Sequence, residues 1–264
     1  AKVRWHGEGD LVALKPTEIR GVKSYGMICA AEEIGFDKLT QDGPTIWDVS
    51  SLTDAKPGTP VADALELNET VFDIEVTSNR PDGASIIGQA REGAAATGNK
   101  FTWQPPQPPQ PPKFPQPFSV SVKVPDLCPR YQAVVIDGVK IGPSPWWLQK
   151  RLLLAGHRPI NNLVDITNYI LHEYGQPLHT FDADKLECDE IIVRAASKGE
   201  KFLALDGKEY ELDPSVMVIA DGKKPVAVAG VMGGESTSTT EQTTRVVIES
   251  ATFDPVSVRR TSRT

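Results

Sequence analysis

HRPINNLVDITNYILHEYGQPLHTFD, His157 to Asp182, changes its pattern at Gly175. Upstream, Leu163, Ile166, Thr167, Ile170, Leu171 and Tyr174 fall at i, i+3, i+4, i+7, i+8 and i+11, the spacing of one buried face of a helix. Asn162 stands before this run as the expected start, and Gly175 ends it where a left-handed C-cap belongs. Pro177 then keeps the chain out of the helix, so His179 is expected on a loop just past the helix end.

Working outward, PSPWWLQKRLLLAG (143–156) reads as a preceding helix with Ser144 as its cap. FSVSVKV (118–124) and YQAVVIDGVKIG (131–142) alternate like strands. Beyond Asp189, LALDGKEYEL and MVIADGKKPVAVAG each place Asp-Gly between apolar alternations, at Asp206-Gly207 and Asp221-Gly222, which predicts two hairpins. RVVIESATF (245–253) adds a strand. The C-terminal half is therefore expected to be α+β, with helices followed by a mainly antiparallel sheet.

A length of 264 residues exceeds a typical single domain. TWQPPQPPQPPKFPQPF (102–118) separates the halves: its prolines cannot donate backbone hydrogen bonds and favour an extended spacer, with a proline-motif ligand as the alternative reading. Before it, EIRGVKSYGMICAAEEIG (18–35) has short strand-like runs, glycine turns and a helical AAEE segment, a pattern suited to a small barrel. VFDIEVTSN (71–79) alternates like a half-buried strand, and SIIGQAREGAAATG (85–98) is a helix with a serine cap and a glycine stop.

Net charge is -7, which disfavours capture of RNA by the field of the whole chain; a local basic surface such as Arg245 with RRTSR (259–263) remains, as solvated charge or as a phosphate contact. The three cysteines are far apart and lack CxxC spacing, which disfavours a disulfide framework or a zinc knuckle and fits a reducing, cytoplasmic setting. No apolar run is long enough to cross a membrane. His157, His172 and His179 lack HxxxH or HxH spacing, so no metal site is expected.

Four features carry chemistry. His179 is either a locally bonded loop histidine or an acid/base candidate. Thr167 lies in the apolar stripe, where back-bonding to the carbonyl four residues earlier is the ordinary outcome, while the Asn168 amide beside it is not satisfied that way and is a candidate for a site. AGVMGGE (229–235) follows a strand with three glycines, forming either an anion-binding nest or a plain tight turn. Glu249 shares a strand face with Val247 and Ala251 and interrupts an apolar run; it is either paired and functional or on an edge strand in water.

These residues also carry a resemblance. HRPINNLVDITNYILHEYGQPLHTFD, AVAGVMGGE (227–235), VVIESATFDP (246–255) and VRRTSR (258–263) closely resemble the B3/B4 region of bacterial-type phenylalanyl-tRNA synthetase beta subunits. TSNRPDGASIIGQARE (77–92) resembles the end of the B1 region, and residues 18–35 the tail of the tRNA-binding OB-fold inserted in it. The resemblance implies a partial OB-fold-like segment over 1–67, a B1-like remnant over 68–101, a linker over 102–117 and a B3/B4 editing domain over 118–264.

It further implies a ligase subunit that lacks the aminoacylation site and hydrolyses tyrosine wrongly esterified to phenylalanine tRNA. The editing pocket would fall on Arg158, Ala229, Gly230, Gly233 and Glu249 for binding, with His179, Asn168 and Thr167 as the catalytic set. No cofactor is implied for this part, ATP and magnesium being needs of the full synthetase. The implied partners are the tRNA and an alpha subunit, two of each subunit in the assembly, and no membrane. Against the family, the first OB-fold strands and the end of B3/B4 are missing, Thr180 replaces an alanine and His157 an aliphatic residue. The alternative is an RNA-binding or structural module that does not hydrolyse.

Overall fold

The computed structural model describes residues 2–4, 8–36, 39, 45–107 and 118–263. Most of the expected proline-rich linker, 108–117, lies outside the described residues. The chain divides into two compact units: Ala1–Glu75 with Ser144–Ile160, and Val76–Pro143 with Asn161–Thr264. Residues 144–160, read above as part of a domain spanning 118–264, thus fold with the N-terminal unit.

In chain order, the first unit contributes β1 (Lys2–Arg4), β2 (Leu11–Ala13), β3 (Thr17–Ile19), β4 (Val22–Ser24) and the short helix α1 (Val61–Ala64). The second begins with α2 (Ile86–Thr97), β5 (Ser119–Val122) and β6 (Arg130–Asp137); α3 (Trp146–Leu154) belongs to the first. The remainder is in the second: α4 (Asn162–Tyr174), β7 (Leu178–Asp182), β8 (Glu190–Ala195), β9 (Glu200–Leu203), β10 (Glu209–Leu212), β11 (Met217–Ala220), β12 (Pro225–Val228), β13 (Met232–Gly233), β14 (Arg245–Thr252) and α5 (Pro255–Thr261).

Within the first unit, β1 pairs with β2 and β3 with β4 as separate antiparallel ribbons. Polar bonds explain why α3 belongs here. The Trp146 indole donates to the Leu65 carbonyl (3.1 Å), and the mostly buried Lys150 ammonium lies 2.8 Å from the Glu69 carboxylate and donates to the Glu66 carbonyl (3.2 Å). Pro145, not Ser144, is the N-cap of α3, and no side chain caps that end. The AAEE segment forms only a 3-10 turn, Glu32–Ile34.

VFDIEVTSN is not a strand. Among the described residues nothing pairs with it, and Val71 and Phe72 are 58 % and 78 % exposed. Alternation specifies which face a strand would bury, but a strand also needs a neighbour to take its backbone groups.

The second unit is an α+β structure with two main sheets. One has the order β13-β12-β11-β8-β5, antiparallel except for the parallel pair β5–β8; the other is β6-β14-β7, antiparallel throughout. One apolar cluster draws on both sheets, with Phe181 and Val247 from the second meeting Ile191, Val193, Met217, Ile219 and Val226 from the first. The expected hairpins form at Asp206-Gly207, joining β9 to β10, and at Asp221-Gly222, joining β11 to β12. Ser85 caps α2 by accepting from the Gly88 amide, and Gly98 ends it with φ of 69°.

Asn161 rather than Asn162 caps α4, its side-chain oxygen accepting from the amides of Leu163 (3.1 Å) and Val164 (3.0 Å); Gly175 ends the helix at φ 76°. Asn161→Ala leaves two first-turn donors to water, and is expected to lower stability by about 1 kcal/mol. In a urea titration this reads as a lower midpoint with an unchanged slope; an unchanged midpoint would show that the cap contributes nothing.

Candidate functional site: a buried carboxylate in an apolar cavity

Val246 and Val247 are fully buried on opposite faces of β14, and β14 is the middle strand of its sheet. Glu249 falls on the Val247 face by strand alternation, and its residue exposure is only 8 %. The reading that placed it on an edge strand in water is therefore overturned. Its register partners are His179 on β7 and Ala133 on β6. His179 is on a strand, not on the loop expected above. Gly175 and Pro177 do end the helix, but Leu178–Asp182 then pairs along β14, whose edge offers the backbone partners that local residues could not reveal.

These strands and the facing sheet line a partly open cavity of about 250 Å³. Its lining includes His179, Glu249, Ala229, Gly230 and Gly233, with aliphatic residues such as Ile219 and Ala227 making up much of the rest. Five of the expected site residues therefore surround one space. Thr167 and Asn168 are not among the lining residues, and the Thr167 hydroxyl is spent on the Val164 carbonyl (2.7 Å), three residues earlier rather than the expected four. Arg158 is exposed, lies in the first unit and does not line the cavity either.

Two glycines make room. A Cβ on Gly233 would fall 2.5 Å from Cε1 and 2.7 Å from Nε2 of His179, so the imidazole rests directly against that backbone. Gly230 has φ +68°, where an L side chain is strained, and a Cβ there would also meet Val258 at 2.9 Å. The turn is only partly a nest. The amides of Val231 and Gly234 are committed to the carbonyls of Val228 (3.1 Å) and Val226 (2.8 Å), whereas among the described residues no backbone carbonyl takes the Gly230 amide.

Electrostatics follow from burial. Glu249 is pushed up to about 7 by desolvation, against which a hydrogen bond donated by the Tyr131 hydroxyl to Oε2 (2.5 Å) works to keep it ionised. Burial pushes the His179 imidazole down to about 4, so it is neutral at physiological pH; its ring meets Phe181 edge-on, with centroids 4.7 Å apart. Tyr131 was not singled out from sequence, although a signal was available. In YQAVVID it shares the parity of Ala133 and the buried Val135, and an inward tyrosine needs a partner for its hydroxyl.

Of the basic residues, Arg245 is engaged by Asp137 (3.2 Å) and Asp189 (3.3 Å), while Arg259, Arg260 and Arg263 are exposed. Among the described residues no group of three or more His, Cys, Asp or Glu could hold a metal ion. No helix among them is long and apolar enough to cross a membrane.

Opposite pH dependences follow for the pair. Glu249, raised from 4.5 to about 7, contributes stability that is complete below pH 4.5 and lost as pH rises through 7. His179, lowered from 6.5 to about 4, contributes stability that is complete above pH 6.5 and lost as pH falls through 4. Each displacement corresponds to about 3 kcal/mol, and over the shared window the two oppose each other. Relative to the parent, Glu249→Gln should gain stability as pH rises from 4.5 to 7, and His179→Gln should lose it from 4 to 6.5, as checked by chemical denaturation at fixed pH. Parallel profiles for all three proteins would contradict the burial of both groups.

Residues 127–264 match the family model for the B3/4 domain. The chain is 48% identical over 252 residues to the phenylalanine–tRNA ligase beta subunit of Carboxydothermus hydrogenoformans, 51% over 248 residues to that of Moorella thermoacetica, and 45% over 256 residues to that of a Synechocystis species. These alignments cover 96%, 92% and 95% of this chain, and 31% of each relative, so the chain spans about a third of the length of the curated proteins it matches. It belongs to the B3/4 domain family, in the form carried by phenylalanine–tRNA ligase beta subunits.

Proposed function

We propose that this chain is an editing module of a phenylalanine–tRNA ligase beta subunit, and that its cavity hydrolyses the ester of tyrosine wrongly attached to phenylalanine tRNA. The observation that carries the reading is a buried carboxylate, Glu249, in a cavity of about 250 Å³ whose other lining side chains, His179 apart, are apolar. Tyrosine differs from phenylalanine by one hydroxyl, and a hydrophobic synthetic site rejects such an addition only modestly. A second pocket containing a carboxylate reverses the preference. A phenol donates to it, whereas a bare ring removes its water and returns no hydrogen bond.

An aminoacyl ester is already activated, so hydrolysis needs a positioned water and help for the developing oxyanion rather than ATP. The Gly230 amide is the turn's candidate donor to that oxyanion. His179, neutral and weakened as a base by burial, serves to orient the ester or the water through hydrogen bonds rather than to carry a full proton at neutral pH. Thr167 and Asn168, away from the cavity lining, have no part in this scheme. Val258 abuts Gly230, so the exposed Arg259 and Arg260 follow on a helix that touches the cavity's turn and are suited to phosphates of the tRNA end. The alpha subunit, and the ATP and magnesium of aminoacylation, belong to the whole assembly in this proposal.

The absence of Thr167 and Asn168 from the lining also favours a second reading, an RNA-binding module that holds the aminoacyl end without hydrolysing it. Deacylation of Tyr-tRNA and Phe-tRNA separates the two. The editing reading expects Tyr-tRNA to be cleared preferentially, Glu249→Ala to reduce that preference by about 100-fold or more, and His179→Ala to slow clearance roughly 10- to 100-fold. Binding of both RNAs without release of either amino acid would favour the second reading.

A further inference from the structure

We infer that Tyr131 is a specificity-determining positioning residue: it holds one oxygen of Glu249 from behind, so that the other oxygen is presented to the hydroxyl of the bound side chain. This rests on the editing reading above and adds a residue that does not touch the substrate. Tyr131 is opposite Ala251 in the β6–β14 register while Glu249 is opposite Ala133, which makes Tyr131 a diagonal neighbour on the same face, within reach for an aromatic side chain. Its hydroxyl donates to Glu249 Oε2 at 2.5 Å. Its ring packs against the core shared by the two sheets.

The decisive point is position. Glu249 lines the cavity and Tyr131 does not, so the phenol of Tyr131 does not occupy the space a ligand would take. A carboxylate has about four acceptor sites on its two oxygens, and one internal donor leaves room for a second. The internal donor also selects the charge state. Burial alone favours the protonated acid, which is a poorer acceptor; donation from Tyr131 favours the carboxylate.

The other groups facing Glu249 do not replace this control. His179 from β7 is held neutral by burial. Cys128, just before β6, has its thiol pushed up by burial and by the Glu249 charge. The facing strands contribute Ile219, Ala227, Met232 and Gly233, which carry no charge.

The test compares the parent, Tyr131→Phe and a protein with a ring-fluorinated tyrosine placed at position 131, whose more acidic hydroxyl is a stronger donor. The Glu249 carboxyl is titrated by NMR with carbon-13 glutamate, assigned with Glu249→Gln. The parent should titrate near 7, Tyr131→Phe higher by roughly one pH unit, and the fluorinated protein lower. Identical midpoints in all three would overturn the proposal, and the fluorinated protein keeps it testable should Tyr131→Phe fold poorly.

In deacylation, the ratio of Tyr-tRNA to Phe-tRNA hydrolysis should rise through neutral pH in the parent. In Tyr131→Phe it should be about fivefold lower at pH 7 and recover by about pH 9, with the Phe-tRNA rate little changed. Equal loss of both rates at every pH would reduce Tyr131 to a packing role and overturn the inference. A parent that hydrolyses neither ester would sink the editing reading, while the titration would still decide whether Tyr131 governs the carboxyl.

Discussion

A carboxylate placed on the inner face of a strand with neighbours on both edges cannot escape to solvent by fraying. It must either take up a proton or find donors, and the rest of the site is arranged around that choice at Glu249. The backbone groups of β14 are taken by β6 and β7, so relief comes from side chains on the same face. One is supplied by Tyr131. The outcome is a carboxyl poised near neutrality in a space whose other lining side chains, His179 apart, are apolar.

The fold explains why those groups meet. β7 and β14 are separated by two hairpins and the glycine turn, yet pair directly, so His179 and Glu249 become cross-strand partners. The facing sheet closes the space with small and aliphatic residues. Gly233 admits the imidazole against its backbone, and Gly230 lets the chain turn at the rim.

Local chemistry made much of this legible. The glycine stop of α4 and both Asp-Gly hairpins follow from turn preference, and the parity of Glu249 follows from a regular β14; the buried face expected of α4 does not hold, since Ile166 and Tyr174 are exposed while Asp165 is fully buried along with Leu163. What local chemistry cannot supply is the partner. His179 reads as loop because a glycine and a proline precede it, while β7 exists because β14 lies alongside. VFDIEVTSN reads as strand because it alternates, yet no described strand lies beside it. Tyr131 is legible by parity as an inward tyrosine that needs a partner, but the partner, Glu249, lies 118 positions away. Thr167 shows the converse: its hydroxyl takes the ordinary back-bond that a helix offers, and it stays out of the cavity.

The central claim is that Glu249 reads a phenolic hydroxyl. Calorimetric binding of two non-hydrolysable amide analogues of the aminoacylated terminal adenosine, one tyrosyl and one phenylalanyl, tests it without requiring turnover. The account predicts tighter binding of the tyrosyl analogue at pH 8, by about tenfold or more, with the difference shrinking as the carboxyl protonates below neutrality. Equal affinities at pH 8, or a preference for the phenylalanyl analogue, would contradict it.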